Sequence, residues 1–145
     1  MTRKIEHIII HCSATPPDMD IGAVEIRCWH TDLPPKGNGW ADIGYHYIIR
    51  RDGVVEKGRD DSVVGAHARP WNSNSIGVCL VGGIAKDGTS DDNFTDAQRA
   101  SLKTLIENLT SAYPHSDVIG HRDVPGVNKD CPSFDAKAWW AARAA

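Results

Sequence analysis

The sequence lacks the features that mark membrane, secreted and nucleic-acid-binding proteins. No apolar run approaches the length that spans a bilayer, and the segment after Arg3 and Lys4 has no apolar core of a secretory signal. The 16 Lys and Arg residues are outnumbered by 19 Asp and Glu, for a net charge of −3. This balance excludes a basic footprint for nucleic acid and a polybasic membrane anchor. We therefore expect a chain made in a cytoplasm, without stable membrane association.

Two common cysteine and histidine motifs are also missing. No CxxC pair occurs among Cys12, Cys28, Cys79 and Cys131, which argues against a thioredoxin-like motif or a zinc ribbon. No HExxH sequence occurs, so the glutamate base of the zincin proteases is absent. A chain of 145 residues does not need disulfides to fold. We expect Cys79 to be a core residue and Cys12 and Cys28 to be inert, while the neighbours of Cys131 set it apart.

Strands and helices alternate along the chain. Short apolar runs and one Asp-Gly turn predict strands at 5–11, 44–51, 54–57, 76–81 and 118–120. Apolar spacing and capping residues predict helices at 21–31, from 95 to about 109, and at 135–143. This order predicts an α/β fold, a single layered domain over residues 1–145 with a central mixed β-sheet flanked by helices. We expect no further domain.

Four local predictions can be compared directly with a structure. Asp20 is expected to cap the first helix, with Ile21, Val24 and Cys28 on its buried face. Thr95 and Gln98 form a capping box at the start of the second helix.

Strand alternation between Tyr45 and His46 is expected to point these two rings to opposite faces, with His46 structural. Trp40 is expected to pack locally in its loop.

The most informative pair is His121 and Cys131, which are separated by nine residues on a turn-rich segment. An imidazole and a thiolate are ligands that suit zinc. His11, at the end of the run Ile8–Ile10, is the best candidate for a third ligand. Three protein ligands leave a fourth position for water, whose pKa zinc lowers towards neutrality. The pattern therefore favours a hydrolytic metal centre.

Seven segments together resemble the zinc-dependent N-acetylmuramoyl-L-alanine amidases of type 2, especially the amidase-type lysozymes of tailed phages. They occur in family order and cover nearly the whole chain, at 11–15, 26–30, 44–49, 51–53, 58–60, 74–83 and 129–135. Peptidoglycan recognition proteins share this fold family, so the resemblance also raises a binding-only role.

The resemblance implies a role for each matching residue. The zinc ligands of the family fall on His11, His121 and Cys131, which implies one Zn²⁺ per chain. Its active-site tyrosine falls on Tyr45, and the catalytic lysine of the phage enzymes falls on Lys129. Tyr45, Lys129 and bulk solvent all remain open as the acceptor of the water's proton. Retention of all five residues argues against a binding module without activity.

Two further residues are predicted to contact substrate. His67 matches a family histidine near the substrate cleft. Trp71 lies in a loop where an exposed ring can stack on a sugar.

The implied activity is hydrolysis of the amide between N-acetylmuramic acid and L-alanine in peptidoglycan, by a phage or prophage endolysin acting in host lysis.

A zinc deaminase is disfavoured because Cys131-Pro132 has no second cysteine partner. We expect a monomer made in the bacterial host cytoplasm without a signal peptide, which reaches the wall after membrane permeabilisation. The resemblance also raises regulation of a phage RNA polymerase, but only ten residues precede His11, and this short N-terminal segment counts against that role.

Overall fold

The computed structural model describes residues 3–144, which form one mixed five-stranded sheet with helices packed around it. The strands are β1 (His7–Cys12), β2 (Tyr47–Ile49), β3 (Val55–Lys57), β4 (Ser75–Leu80) and β5 (Asp117–Gly120). The helices are α1 (Ala23–Thr31), α2 (Asp96–Ala112) and α3 (Ala136–Ala141). The sheet order is β3-β2-β4-β1-β5, parallel except for the β2–β3 hairpin. The predicted α/β class and mixed sheet are confirmed.

Strand β1 lies inside the sheet and is buried on both faces. Ile8 and Ile10 pack on the side of α2, against residues that include Leu102 and Ile106. Ile9 packs on the opposite face in a separate apolar cluster. A continuous apolar run is the pattern expected of a strand that is covered on both faces. The core therefore holds β1 rigidly, and its carboxyl end carries His11.

Helix α1 differs from its prediction in both its cap and its buried face. The N-cap is Gly22, whose backbone N–H donates to the Glu25 carboxylate at 2.7 Å, so Asp20 is not the cap. The helix buries Ala23 and Ile26 and exposes Val24 and Cys28. The predicted face was wrong because Ile21, which is buried, lies before the helix begins and does not share its periodicity.

The hairpin and the remaining helices agree with the sequence. The Gly53 N–H donates to the Arg50 carbonyl at 2.9 Å, and Gly53 has a φ of 88°, as the Asp-Gly turn predicts. Strand β2 is shorter than the predicted 44–51. Helix α3 is capped by Asp135 and buries Trp140. Within residues 3–144, no helix is long and apolar enough to cross a membrane.

The Thr95–Gln98 capping box is confirmed, and Gln98 also joins α2 to the sheet. The Thr95 hydroxyl accepts from the Gln98 N–H at 3.0 Å, and the Gln98 side-chain oxygen accepts from the Thr95 N–H at 3.0 Å. The fully buried Gln98 amide also donates to the carbonyls of Ile49 and Val81, at 3.2 and 2.8 Å. One side chain thus satisfies polar groups at the ends of β2 and β4.

We predict that Gln98→Met lowers the free energy of unfolding by about 2–4 kcal/mol, because it removes the buried hydrogen bonds to the Ile49 and Val81 carbonyls and the acceptor of the Thr95 N–H. Urea unfolding followed by circular dichroism measures the change. Lys103→Met, on an exposed position of the same helix, is the matched control and should change stability by less than about 0.5 kcal/mol. Equal stability of the two variants would contradict this role for Gln98.

Candidate metal centre

His11 and His121 lie side by side because two parallel strands end together. Ile10 of β1 pairs with Gly120 of β5, and the residue after each of them is a histidine. His11 and His121 therefore lie at the same edge of the sheet. The two imidazole rings are 4.4 Å apart between centroids. His121 begins a short 3-10 turn whose N-cap amide, from Gly120, donates to the Asp123 carboxylate at 2.9 Å. The strand register therefore produces the first pair of ligands.

Cys131 reaches the same edge by a chain reversal. The Val127 N–H donates to the Val124 carbonyl at 3.1 Å, and Gly126 between them has a φ of 83°. The returning segment is held where the Arg122 N–H donates to the Cys131 carbonyl at 2.8 Å. The segment between His121 and Cys131 thus folds back on itself.

The three predicted ligands form one cluster. Their ligand atoms, on His11, His121 and Cys131, all lie within 4.8 Å of one another. His11 is buried, whereas His121 and Cys131 are partly exposed towards a cleft. Two imidazoles and one thiolate are a donor set that zinc accepts, and an open side of the cluster is typical of catalytic sites. The residues present fit a single zinc ion.

The histidines are held in the neutral form that metal binding requires. Burial lowers the pKa of His11 well below its usual value, with His67 and His121 adding to the effect. Burial, with Lys129 nearby, also lowers the pKa of His121. Neutral imidazole offers a nitrogen lone pair, whereas imidazolium does not.

The thiol of Cys131 lies beside the thiol of Cys12. The two sulfurs are 3.9 Å apart, and the Cys12 backbone N–H donates to the Cys131 Sγ at 3.2 Å. The hydrogen bond between the side chains, together with burial, raises the pKa of the Cys131 thiol, while the same bond lowers the pKa of Cys12 to about 7. A cation at the cluster acts in the opposite sense on Cys131, because coordinated thiols are deprotonated.

Tyr45 and Lys129 border the same cleft, which has a volume of about 280 Å³. The Tyr45 ring lies 5.1 Å from the His11 ring, and burial raises the pKa of its phenol well above the usual range. The protonated hydroxyl is therefore a hydrogen-bond donor. Lys129 is exposed at the rim, on the segment that ends in Cys131. Both predicted catalytic residues lie at the cluster.

The expectation that Tyr45 and His46 face opposite sides is wrong. Tyr45 precedes β2, so the alternation of a strand does not apply to it, and its ring lies near His11. The His46 ring lies on the same side, 5.6 Å from His67. His46 is fully buried, where its Nδ1 accepts from the Gly77 N–H at 3.0 Å and its Nε2 donates to the Val63 carbonyl at 2.8 Å.

Trp40 is the residue whose position the sequence analysis missed. Its ring packs against His30 at 4.8 Å, as local packing predicts, but it also remains 39% exposed and borders the cleft. Two further cavities, of about 350 and 310 Å³, adjoin the central cleft and share lining residues with it, including Trp40 on one side and Lys129 on the other. The three cavities form one groove that runs past the three ligands.

The two predicted substrate contacts lie in different places. His67 lines the groove and is half-buried, and its Nδ1 is 2.8 Å from the His11 Nε2. Trp71 is stacked on His7 with ring centroids 4.0 Å apart, at the opposite end of β1 from His11. Trp71 is thus placed away from the ligand cluster.

Comparison with solved structures identifies the class of protein that has this fold. The amidase LysC from Clostridium intestinale has a TM-score of 0.78 and 26% identity, over 97% of this chain and 88% of that one. The Drosophila peptidoglycan recognition protein PGRP-LB has a TM-score of 0.78 and 25% identity, over 99% of this chain and 83% of that one. The fold is that of the type-2 amidases and peptidoglycan recognition proteins.

Comparison of sequences identifies the family. The endolysin of Enterobacteria phage T3 is 53% identical over 93% of this chain and 85% of its own length, and that of Escherichia phage T7 is 52% identical over 92% and 83%. The model of the N-acetylmuramoyl-L-alanine amidase family Amidase_2 matches residues 1–134. The chain belongs to this family, and its relatives among phage endolysins support a role as a peptidoglycan amidase in lysis.

We predict that acid destabilises the metal-free protein between pH 6.5 and 4, partly through His46. Burial lowers the pKa of His46 to about 4, whereas the unfolded chain binds this proton near pH 6.5. The free energy of unfolding is thus unaffected by His46 above pH 6.5 and falls by on the order of 3 kcal/mol as the pH drops to 4.

Urea unfolding at pH 7 and pH 4.5 measures this loss, to which the other buried histidines contribute in the same direction. An NMR titration isolates the His46 contribution. A His46 ring that titrates near pH 6.5 in the folded protein would contradict the prediction.

Proposed function

We propose that this chain hydrolyses the amide between N-acetylmuramic acid and the L-alanine of the peptidoglycan stem, with one zinc ion held by His11, His121 and Cys131. The observation that carries the proposal is the convergence of these three ligand atoms within 4.8 Å at the base of the groove. Membership of the amidase family supports the choice of bond.

The residues around the cluster have distinct roles in this reaction. Bound zinc supplies a Lewis acid that polarises the substrate carbonyl and activates water for attack. The Lys129 ammonium group, at the rim of the cleft, stabilises the negative charge that develops on the carbonyl oxygen. The Tyr45 hydroxyl, which borders the same cleft, donates a hydrogen bond to the reacting oxygen atoms. The protein thus supplies two hydrogen-bond donors at the same cleft, the Lys129 ammonium group and the Tyr45 hydroxyl.

The shape of the groove supports a branched polymer as substrate. In peptidoglycan the scissile amide joins a glycan strand to a peptide, so a binding site must extend on both sides of the reacting carbon. The central cleft adjoins one cavity on the side of Trp40 and another on the side of Lys129. The exposed Trp40 ring offers a stacking surface at one end. We include Trp40 and His67 in the substrate groove and exclude Trp71, which stacks on His7.

The relatives support the same class of substrate and a lytic role. One solved relative, a mutant of Drosophila PGRP-LB, is in complex with tracheal cytotoxin. The relatives from phages T3 and T7 are endolysins. We propose that this chain acts as a monomeric endolysin, made in the host cytoplasm and admitted to the wall when the membrane is permeabilised.

The first test combines metal analysis with product analysis. We expect about one zinc per purified chain, as three-ligand catalytic sites hold, and we expect new L-alanine amino termini when the protein is incubated with purified peptidoglycan. Cys131→Ser should lose both zinc and turnover because it removes the thiolate ligand. Zinc-loaded protein that binds peptidoglycan without releasing amino termini would indicate a binding module instead.

A second prediction concerns the cation at the rim. Lys129→Met should lower kcat by about 10²–10³-fold, the loss typical of one removed oxyanion donor, while the zinc content stays unchanged. Release of amino termini over time measures kcat, and Lys103→Met on α2 is the matched control that should retain full activity. Wild-type kcat in Lys129→Met would refute the catalytic role of this lysine.

A further inference from the structure

A chain of three hydrogen bonds leads from His11 away from the groove. The His11 Nε2 lies 2.8 Å from the His67 Nδ1. The other nitrogen of the His67 ring, Nε2, lies 3.2 Å from the Ser75 hydroxyl. Ser75, which is fully buried, lies 2.7 Å from the carbonyl oxygen of Trp71. The series of hydrogen bonds therefore begins at a proposed zinc ligand and ends at a backbone carbonyl.

The Trp71 carbonyl, at the end of this series of hydrogen bonds, determines where each proton of the series lies. A carbonyl oxygen only accepts, so the single proton of the Ser75 hydroxyl points to Trp71. The Ser75 oxygen must then accept from the His67 Nε2–H, which leaves the His67 Nδ1 without a proton. His67 consequently accepts from the His11 Nε2–H. The remaining nitrogen of His11, Nδ1, is the one with a free lone pair.

The His67 ring is held in a slot formed by two glycines. A Cβ atom on Gly77 would lie 2.7 Å from the His67 ring, and a Cβ on Gly65 would also lie 2.7 Å from it. Any side chain at either position would displace the imidazole. The loop is anchored as well, because the Asn72 side-chain oxygen accepts from the backbone N–H groups of His67 and Ala68, at 2.9 and 2.7 Å. This packing keeps the Nδ1 of His67 directed at His11.

We propose that His67 is a positioning residue, which with Ser75 fixes the tautomer and the ring orientation of His11 so that Nδ1 is the nitrogen presented to zinc. This role rests on the proposed zinc centre and replaces substrate binding as the main task of His67. It explains why both ring nitrogens of a histidine that borders the groove already have hydrogen-bond partners. Hydrogen-bond partners of metal-binding histidines commonly select the tautomer in this way.

The test compares zinc affinity in three variants, measured by competition with a chromophoric chelator. His67→Leu removes the acceptor and should weaken zinc binding by about 10–100-fold, the range typical of lost hydrogen-bond partners of metal ligands. His67→Asn keeps an acceptor oxygen close to the position of Nδ1 and should restore most of the affinity. Ser75→Ala leaves the imidazole in place and should weaken binding by less than His67→Leu does.

A second readout is independent of metal. In ¹⁵N NMR spectra of the metal-free wild type, His11 should carry its proton on Nε2, and this preference should weaken in His67→Leu and in Ser75→Ala. His115→Leu, at an exposed position, is the control and should change neither the tautomer nor the affinity.

The outcomes separate this inference from the proposed function. A wild-type chain that binds no zinc would overturn the metal centre itself. A wild-type chain that binds zinc, with equal affinity in His67→Leu and an unchanged His11 tautomer in both variants, would overturn the positioning role alone.

Discussion

The parallel pairing of β1 with β5 is the constraint on which the candidate metal centre depends. Ile10 pairs with Gly120, so the residues that come next, His11 within β1 and His121 directly after β5, lie at the same edge of the sheet. A shift of one residue in this pairing would move His121 out of line with His11, because the turn that carries His121 follows directly from Gly120. The buried isoleucines of β1 stabilise this register, because each packs into its own apolar cluster on one face of the sheet. The apolar core therefore aligns the ligands, although none of its residues takes part in the chemistry.

Buried polar side chains also have defined hydrogen-bond partners. Gln98, His46 and Ser75 are fully buried and hydrogen-bonded, and the half-buried His67 has a partner on each ring nitrogen. A buried polar group that loses its partner costs more than the bond itself contributes, so such networks admit few alternative arrangements. The glycines next to the histidine rings have the same effect, because they leave room for one ring position. The orientation of the His67 ring at the groove is thus determined by Ser75 and the two glycines.

The same sheet occurs in proteins with different tasks. The chain resembles an amidase from Clostridium intestinale and a Drosophila peptidoglycan recognition protein about equally in fold. Fold alone therefore does not separate hydrolysis from recognition. The distinction lies in a few side chains at one edge of the sheet. Here those side chains are two histidines, a cysteine, a tyrosine and a lysine around one cleft, the set on which the proposed amide hydrolysis rests.

The sequence by itself determined the features that depend on neighbouring residues: the Asp52-Gly53 hairpin, the Thr95–Gln98 cap, the apolar strands and the histidines at their ends. It also carried the ligand types, because zinc chemistry restricts them. Only the tertiary structure determined which imidazole and aromatic side chains from distant segments lie close together. Contacts between distant segments determine four features that the sequence did not predict. They are the buried face of α1, the common side of Tyr45 and His46, the exposure of Trp40 at the groove, and the hydrogen bond between His67 and His11. Periodicity reports which face of one element is apolar, but it does not report which partner covers that face.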